Sequence, residues 1–221
     1  MQGPSHLLVC WYFADASGIS SSRDRRIVAW GGLAPDIDVL AYAGAILYYR
    51  LDQNLAFENV WRVVHHRYTH GLAFVLLTGV VAWTLASNHT ARVRVALLAM
   101  AASVLHMFCD VVAGGPTWPI YPLWPISDLA FAAAWSWTIG EWPNMVILFV
   151  CLGGMFAYAK FAARSPLECF GDRADAWFVR IATQAPAPAA TEGKKLRWII
   201  WAAVVLGAIA ILAPLGFKPG S

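Results

Sequence analysis

Four stretches of this chain, Gly71–Ser87, Val93–Ala113, Pro143–Ala162 and Leu196–Phe217, are apolar for about as long as a helix needs to cross a bilayer, roughly 20 residues with tolerance at the short end. In hydrocarbon every backbone polar group must be satisfied within its own segment, so such stretches fold as helices. The composition agrees. Charged residues make up 13% of the 221-residue chain and hydrophobic ones 59%, against roughly 25% charged in soluble domains. The twelve Trp suit interfacial belts. The net charge is only +3, with the basic residues scattered, which excludes nucleic acid as a partner. Cys10, Cys109, Cys151 and Cys169 form no C-x-x-C pair and no disulfide-like framework, so they read as small apolar packers.

The expected fold is an all-α, polytopic membrane protein with about 4–5 transmembrane helices plus short interfacial or re-entrant helices. Leu7–Ala14, Ile27–Leu33 and Val39–Tyr49 are apolar but short: interfacial, re-entrant, or buried against the bundle. Leu129–Trp142 reads either as a short span or as a surface helix, and Gly114–Pro125 as an irregular aromatic loop. Residues 1–162 form the helical domain, 163–195 a polar linker with an Ala/Pro tract, and 196–221 a last transmembrane helix. The start of the chain lacks a basic region before Leu7–Phe13, so no cleaved signal peptide is expected.

Against this apolar background the histidines stand out. Ionisable groups at membrane depth are costly, and a gathering of them is a functional-site hypothesis by default. His65, His66 and His70 abut one span, and His106 and Asp110 lie within the next. His66/His70 and His106/Asp110 are each spaced i, i+4, one face of an α-helix. Counting back and forward from the turn at Asn88–Arg92 at 1.5 Å per residue puts both pairs at similar depth on one side of the membrane. Imidazole with carboxylate is divalent-metal chemistry.

Each motif also has a bland reading. Asp36 and Asp38 supply oxygen ligands or simply start a helix. The His65–His70 run is a ligand set or a basic interfacial anchor, and the sequence leaves open whether His65 or His66 is the ligand. Arg67 suits a phosphate or carboxylate clamp, and Thr69 suits support of a ligand. His106 and Asp110 hold a metal or satisfy one another. His6 alone is more often structural, and His89, in the turn, lies on the opposite side. Ser127, Asp128 and Glu141 are further candidates to line the site.

The order His6, Pro35-Asp36-Ile37-Asp38, His66-Arg67-Tyr68-Thr69-His70 and Leu105-His106-Met107-Phe108-Cys109-Asp110, followed by a Gly-rich loop into Pro122–Ser127, resembles the YdjM-like membrane-bound metal-dependent hydrolases, also described as LexA-regulated. The resemblance covers about residues 1–128 and implies a bacterial inner-membrane protein. A distant similarity, by ligand order, is to zinc-dependent phospholipase C and the P1-type nucleases.

The resulting expectation is a multi-pass inner-membrane hydrolase acting on a lipid or lipid-linked (phospho)ester. Its metal set is His6, Asp36, Asp38, His66, His70, His106 and Asp110. One or two ions, zinc first and manganese as an alternative, would lower the pKa of a bound water towards neutrality. Asp36 or Asp38 would be the general base, and Arg67 would stabilise developing negative charge. The alternative is a non-enzymatic protein that binds or transports a metal ion or proton. The sequence leaves open the substrate, the oligomeric state and the membrane side that the site faces.

Overall fold

A computed structural model describes residues 1–183. Among them the regular structure is helical: α1 (Gly3–Ala16), α2 (Ser22–Leu33), a 3-10 turn (Ala34–Asp38), α3 (Val39–Tyr48), α4 (Gln53–Ala56) running into π-helical turns at Phe57–Trp61 and Val64–Thr69, α5 (Leu72–Leu85), α6 (Arg92–Ala113), α7 (Trp142–Ala162), a 3-10 turn (Pro166–Phe170) and α8 (Asp172–Thr183). The expected C-terminal helix Leu196–Phe217 lies outside the described residues.

By length and composition α6 and α7 can each cross a membrane, and a third span arises if Gln53–Thr69 and Leu72–Leu85 count as one broken helix bent by 67°. The break is local. His70 ends the π-helical turn and Gly71 is extended (φ −130°, ψ 168°), restarting the chain as α5. A Cβ on Gly71 would press on the Arg67 carbonyl oxygen at 2.9 Å, so the residue's small size lets the bend close.

The two shorter apolar segments at the front pack inside the bundle. In α1, Cys10, Trp11, Tyr12 and Ala14 are buried, and in α2, Val28 and Ala29. They reach α6 through small residues. Gly32 sits on Cys10, and Gly31 faces Ala99. Ser103 Oγ donates to the Gly31 carbonyl oxygen at 2.9 Å. Close backbone approach is how helices associate where lipid gives no hydrophobic drive between them. By contrast α3 is mostly exposed, with Leu40, Leu47 and Tyr48 bare, as suits a segment lying at an interface.

Two expectations need correction. Leu129–Trp142 is neither a span nor a surface helix. From Leu129 to Glu141 it is an irregular loop, tied at Ile120–Phe131 by a single antiparallel bridge. Asn144, fully buried at the start of α7, donates to the Thr138, Ile139 and Ala113 carbonyl oxygens and so pins that loop. The first part of the expected flexible linker is also folded. The Pro166–Phe170 turn docks on α2 through a buried, two-pronged ion pair: Arg25 Nε to Glu168 Oε1 at 3.0 Å, and Arg25 Nη2 to Oε2 at 2.6 Å. Arg25 Nη1 also donates to the carbonyl oxygens of Ile19 and Ser20. Burial pushes the Glu168 carboxyl above its ordinary value, and the guanidinium opposes that shift.

Removing one partner strands the other charge. Arg25→Ala is expected to destabilise the protein by about 3–5 kcal/mol, and Arg25→Ala with Glu168→Ala by clearly less. Unfolding of the detergent-solubilised variants checks this. Equal losses in the single and double variants would mean that the pair is not what holds the segment.

Candidate metal centre

Five parts of the chain meet at one end of the bundle: the start of α1, the Ala34–Asp38 turn, the π-helical turn with His70, the C-terminal half of α6, and Trp118 from the following loop. The turn between α5 and α6 reverses the chain, so His70 and the His106/Asp110 pair come to the same depth. His70 Nε2 lies 3.1 Å from His106 Nε2 and 3.1 Å from Asp110 Oδ2. Asp36 Oδ1 approaches His106 Nε2 at 3.4 Å. One ligand atom from each of Asp36, His70, His106 and Asp110 falls within 4.8 Å of all the others.

A second group adjoins the first: Asp38, His65 and His70, with ligand atoms within the same 4.8 Å limit. Asp38 is heavily bonded. Its Oδ2 contacts His65 Nδ1 at 2.6 Å and accepts from Thr69 Oγ1 at 2.9 Å, and its Oδ1 accepts from Trp61 Nε1 at 3.3 Å. Thr69 Oγ1 also sits 3.0 Å from His70 Nδ1, so it ties Asp38 to a histidine of the first group.

The pairing of His65 with His70 follows from the winding. An α-helix would stack His66 over His70, as the i, i+4 spacing led us to expect. The segment is a π-helix instead, and its i→i+5 bonding turns His65 onto that face. The His65 and His70 ring centroids are 3.9 Å apart. His66 is buried on the other side, edge-on to Trp118 with centroids 4.3 Å apart, and belongs to neither group among the described residues.

The remaining expected residues fall as follows. His6 touches the centre: its Nε2 is 2.9 Å from Asp110 Oδ1, and its ring stacks on His106 at 3.7 Å. The Met1 amino group also pairs with Asp110 Oδ1. Arg67 lies away from both groups, paired with Asp128 at 3.5 Å and set over the Tyr121 ring. Glu141 serves its own loop by accepting from Thr138, and Ser127 accepts from the Leu129 backbone N–H. His89 is exposed in the α5–α6 turn. Trp61 and Trp118, which the sequence does not single out, wall the centre, and no spacing rule would have found them.

The donor set suits a cation. Two imidazole Nε2 atoms and an Asp110 oxygen converge within 3.1 Å of one another in a place where His70 and His106 are fully buried. Lone pairs aimed at one point in a dry site repel one another unless a proton or a metal ion sits between them. The outward nitrogens Nδ1 of His6 and of His106 are also buried without a hydrogen-bond partner. Asp36 completes the picture electrostatically. Burial raises its carboxyl, but the hydrogen bond and the charge of His106 outweigh this and hold it below the usual carboxylate range. It is therefore ionised at neutral pH and available as an oxygen ligand or a base.

Metal content distinguishes the two windings. His65→Ala, His70→Ala and His106→Ala should each lower bound zinc or manganese sharply by elemental analysis, whereas His66→Ala should leave it intact. A loss confined to His66→Ala, with His65→Ala unaffected, would show that the helix winds as a regular α-helix in the protein.

No curated protein and no solved structure matches the chain, so the distant likeness to zinc-dependent phospholipase C and the P1-type nucleases is not shown. A family model does match, that of the YdjM inner membrane protein, over residues 1–215. The match runs well beyond the first 128 or so residues that carry the motifs, so it takes in the C-terminal part as well. The chain therefore belongs to the YdjM inner membrane protein family and, with helices long and apolar enough to cross a membrane, resides in the bacterial inner membrane.

Proposed function

We propose that this protein is a metal-dependent hydrolase whose substrate is a lipid or lipid-linked ester, with a phosphoester the favoured class. The observation that carries this reading is the setting of the ligand groups. Asp36, Asp38, His65 and Asp110 stand in the wall of a cavity of about 920 Å³ that is otherwise almost wholly apolar, lined by residues such as Leu7, Leu33, Leu148, Leu152 and Met155 from α1, α2 and α7. A concave apolar site with a few convergent polar groups is the usual form of a small-molecule site. Here an acyl or prenyl chain in the cavity would present its polar end to the histidines and carboxylates.

The residues divide the work. His70, His106 and Asp110 with Asp36, and Asp38 with His65 and again His70, are the groups that would hold one or two ions. Zinc suits the His/Asp mixture, and manganese becomes plausible with the carboxylates. When bound, such an ion polarises the scissile group and makes water a nucleophile near neutral pH. Asp38 is fully engaged by His65, Thr69 and Trp61, so its task is to hold and orient. Asp36 is the freer carboxylate, with its side chain 26% exposed, and it is the candidate to take the proton from the attacking water. Arg67 points into a different pocket, so stabilisation of developing charge falls to the centre itself.

A transport role would need polar groups to continue through the bundle. Beyond the centre the interior is packed by Val28, Ala82, Val95, Ala99 and Ala102. The hydroxyls of Ser103 and Thr78 are already bonded to carbonyl oxygens. That arrangement supports a one-sided site.

The test is turnover in neutral-lipid nanodiscs with added zinc or manganese, across a panel of lipid phosphoesters and carboxylic esters. Hydrolysis should disappear with a chelator and return with metal, and Asp36→Asn should slow it by about 100-fold or more. Stoichiometric bound metal with no turnover on any member of either class would sink the enzyme reading and favour a binding protein.

A further inference from the structure

On the other side of the His65–His70 segment from the ligand groups lies a smaller pocket of about 370 Å³. It is lined by Glu58, Arg62, Val63, His66, Arg67, Pro119 and Tyr121. The π-helical winding that turns His65 and His70 inwards has a counterpart here. Arg62 and Arg67 are also five residues apart and line this one pocket, with His66 between them. Trp118, which lines the apolar cavity, packs against both histidines: its ring is 4.3 Å from that of His66 and 5.4 Å from that of His65.

Three observations point to an anionic ligand. First, His66 is only 4% exposed, yet its Nε2 has no hydrogen-bond partner among the described residues. A buried polar atom left unmade costs free energy unless something completes it. Either tautomer offers something useful: Nε2–H donates to an oxyanion, and a bare Nε2 accepts from the P–OH of a monoester. Second, among the described residues the ion pairs of both guanidiniums are exposed ones, Arg62 with Glu58 at 2.8 Å and Arg67 with Asp128 at 3.5 Å. Such pairs contribute little and leave most of each five-donor fork unused. Arg67 is further steadied over the Tyr121 ring at 4.8 Å. Third, the pocket lies on the half-helix that bends 67° from α5, next to the edge-on pair Tyr68 and Trp124. Aromatics of this kind mark headgroup level, where phosphates are found and where Arg forks match their geometry.

We propose that Arg62, His66 and Arg67 form a binding site for a phosphate or phosphoester anion, distinct from the metal centre. The two sources of that chemistry are the headgroup of an anionic lipid and a free phosphate. The assignment stands whether or not the metal centre hydrolyses anything. Glu58 and Asp128 are the acids that a ligand would displace from the two arginines, so both pairs open on binding.

The experiment uses the full chain, treated with chelator so that the metal centre cannot bind phosphate, in nanodiscs of neutral lipid. Calorimetry with inorganic phosphate is one arm, and phosphorus NMR of nanodiscs doped with phosphatidic acid is the other. Binding in either arm, weakened about tenfold or more by Arg62→Gln with Arg67→Gln and weakened also by His66→Gln, supports the site; the arm that responds identifies the source. Metal content measured on the same variants before chelation should be unchanged, which separates this site from the metal centre. Binding in neither arm overturns the proposal. So does binding that falls in the arginine variant but is untouched in His66→Gln, because that outcome describes surface charge and not a built pocket. Circular dichroism confirms that each variant is folded before it is scored.

Discussion

The Asp110 carboxylate is the group on which the rest of the site depends. It lies one turn beyond His106 within α6, and four groups reach it: the Met1 amino group and the imidazoles of His6, His70 and His106. Those groups come from the start of α1, from the break before α5 and from α6 itself. A charge buried in an apolar bundle is tolerated only when it is surrounded in this way, and removing any one partner leaves the others underpaired. The centre is thus also a tertiary clamp. It fixes the depth of α1 against α6 and holds the bend at His70–Gly71 in place.

Bringing those elements close enough requires small residues. Gly31 and Gly32 on α2 meet Ala99 on α6 and Cys10 on α1, and Ser103 closes the gap with a hydrogen bond to a backbone carbonyl. The opposite end is fastened by different means. Asp24 accepts from the backbone N–H and the hydroxyl of Ser87 at the α5–α6 turn, while Arg25 reaches Glu168. The bundle is therefore polar at both ends and apolar between. Among the described residues the ligand groups thus stand at one end and a structural latch, Asp24 with Ser87 and Arg25 with Glu168, at the other.

The membrane class and the meeting of His70 with His106 and Asp110 were legible in the sequence. Both follow from quantities the chain states openly: apolar length, a turn, and 1.5 Å of rise per residue. The choice between His65 and His66 was not legible, because it depends on whether a turn winds with i→i+4 or i→i+5 bonds. Nothing in Val64–Thr69 announces that the backbone takes the rarer option, in which His65 and Thr69 both reach Asp38. The loop from Leu129 to Glu141 misled for the opposite reason. Its residues are apolar enough for a helix, but only Ala133, Ser136 and Trp137 are buried, and Asn144 and Ile120, both outside the segment, bond to the backbone of Thr138, Ile139 and Phe131. The span expected over Gly71–Ser87 is the 14-residue α5, which is long enough to cross only when counted with the half-helix before the break at His70–Gly71.

The π-helical turn does more than select one histidine. A regular helix through Arg62–His70 would place His66 and His70 on one face and leave His65 outside. The wider winding gives the segment two working faces: His65 and His70 towards the carboxylates, and Arg62, His66 and Arg67 towards a basic pocket. Trp118 packs against both His65 and His66 and lines the large apolar cavity as well. The segment is then the element through which the ligand groups, the apolar cavity and the basic pocket are held in register. A π-helical turn gives up favourable hydrogen-bond geometry, and such turns occur mostly at functional sites. Its presence in the one segment that separates two sets of buried or basic side chains is consistent with strain retained for what it positions.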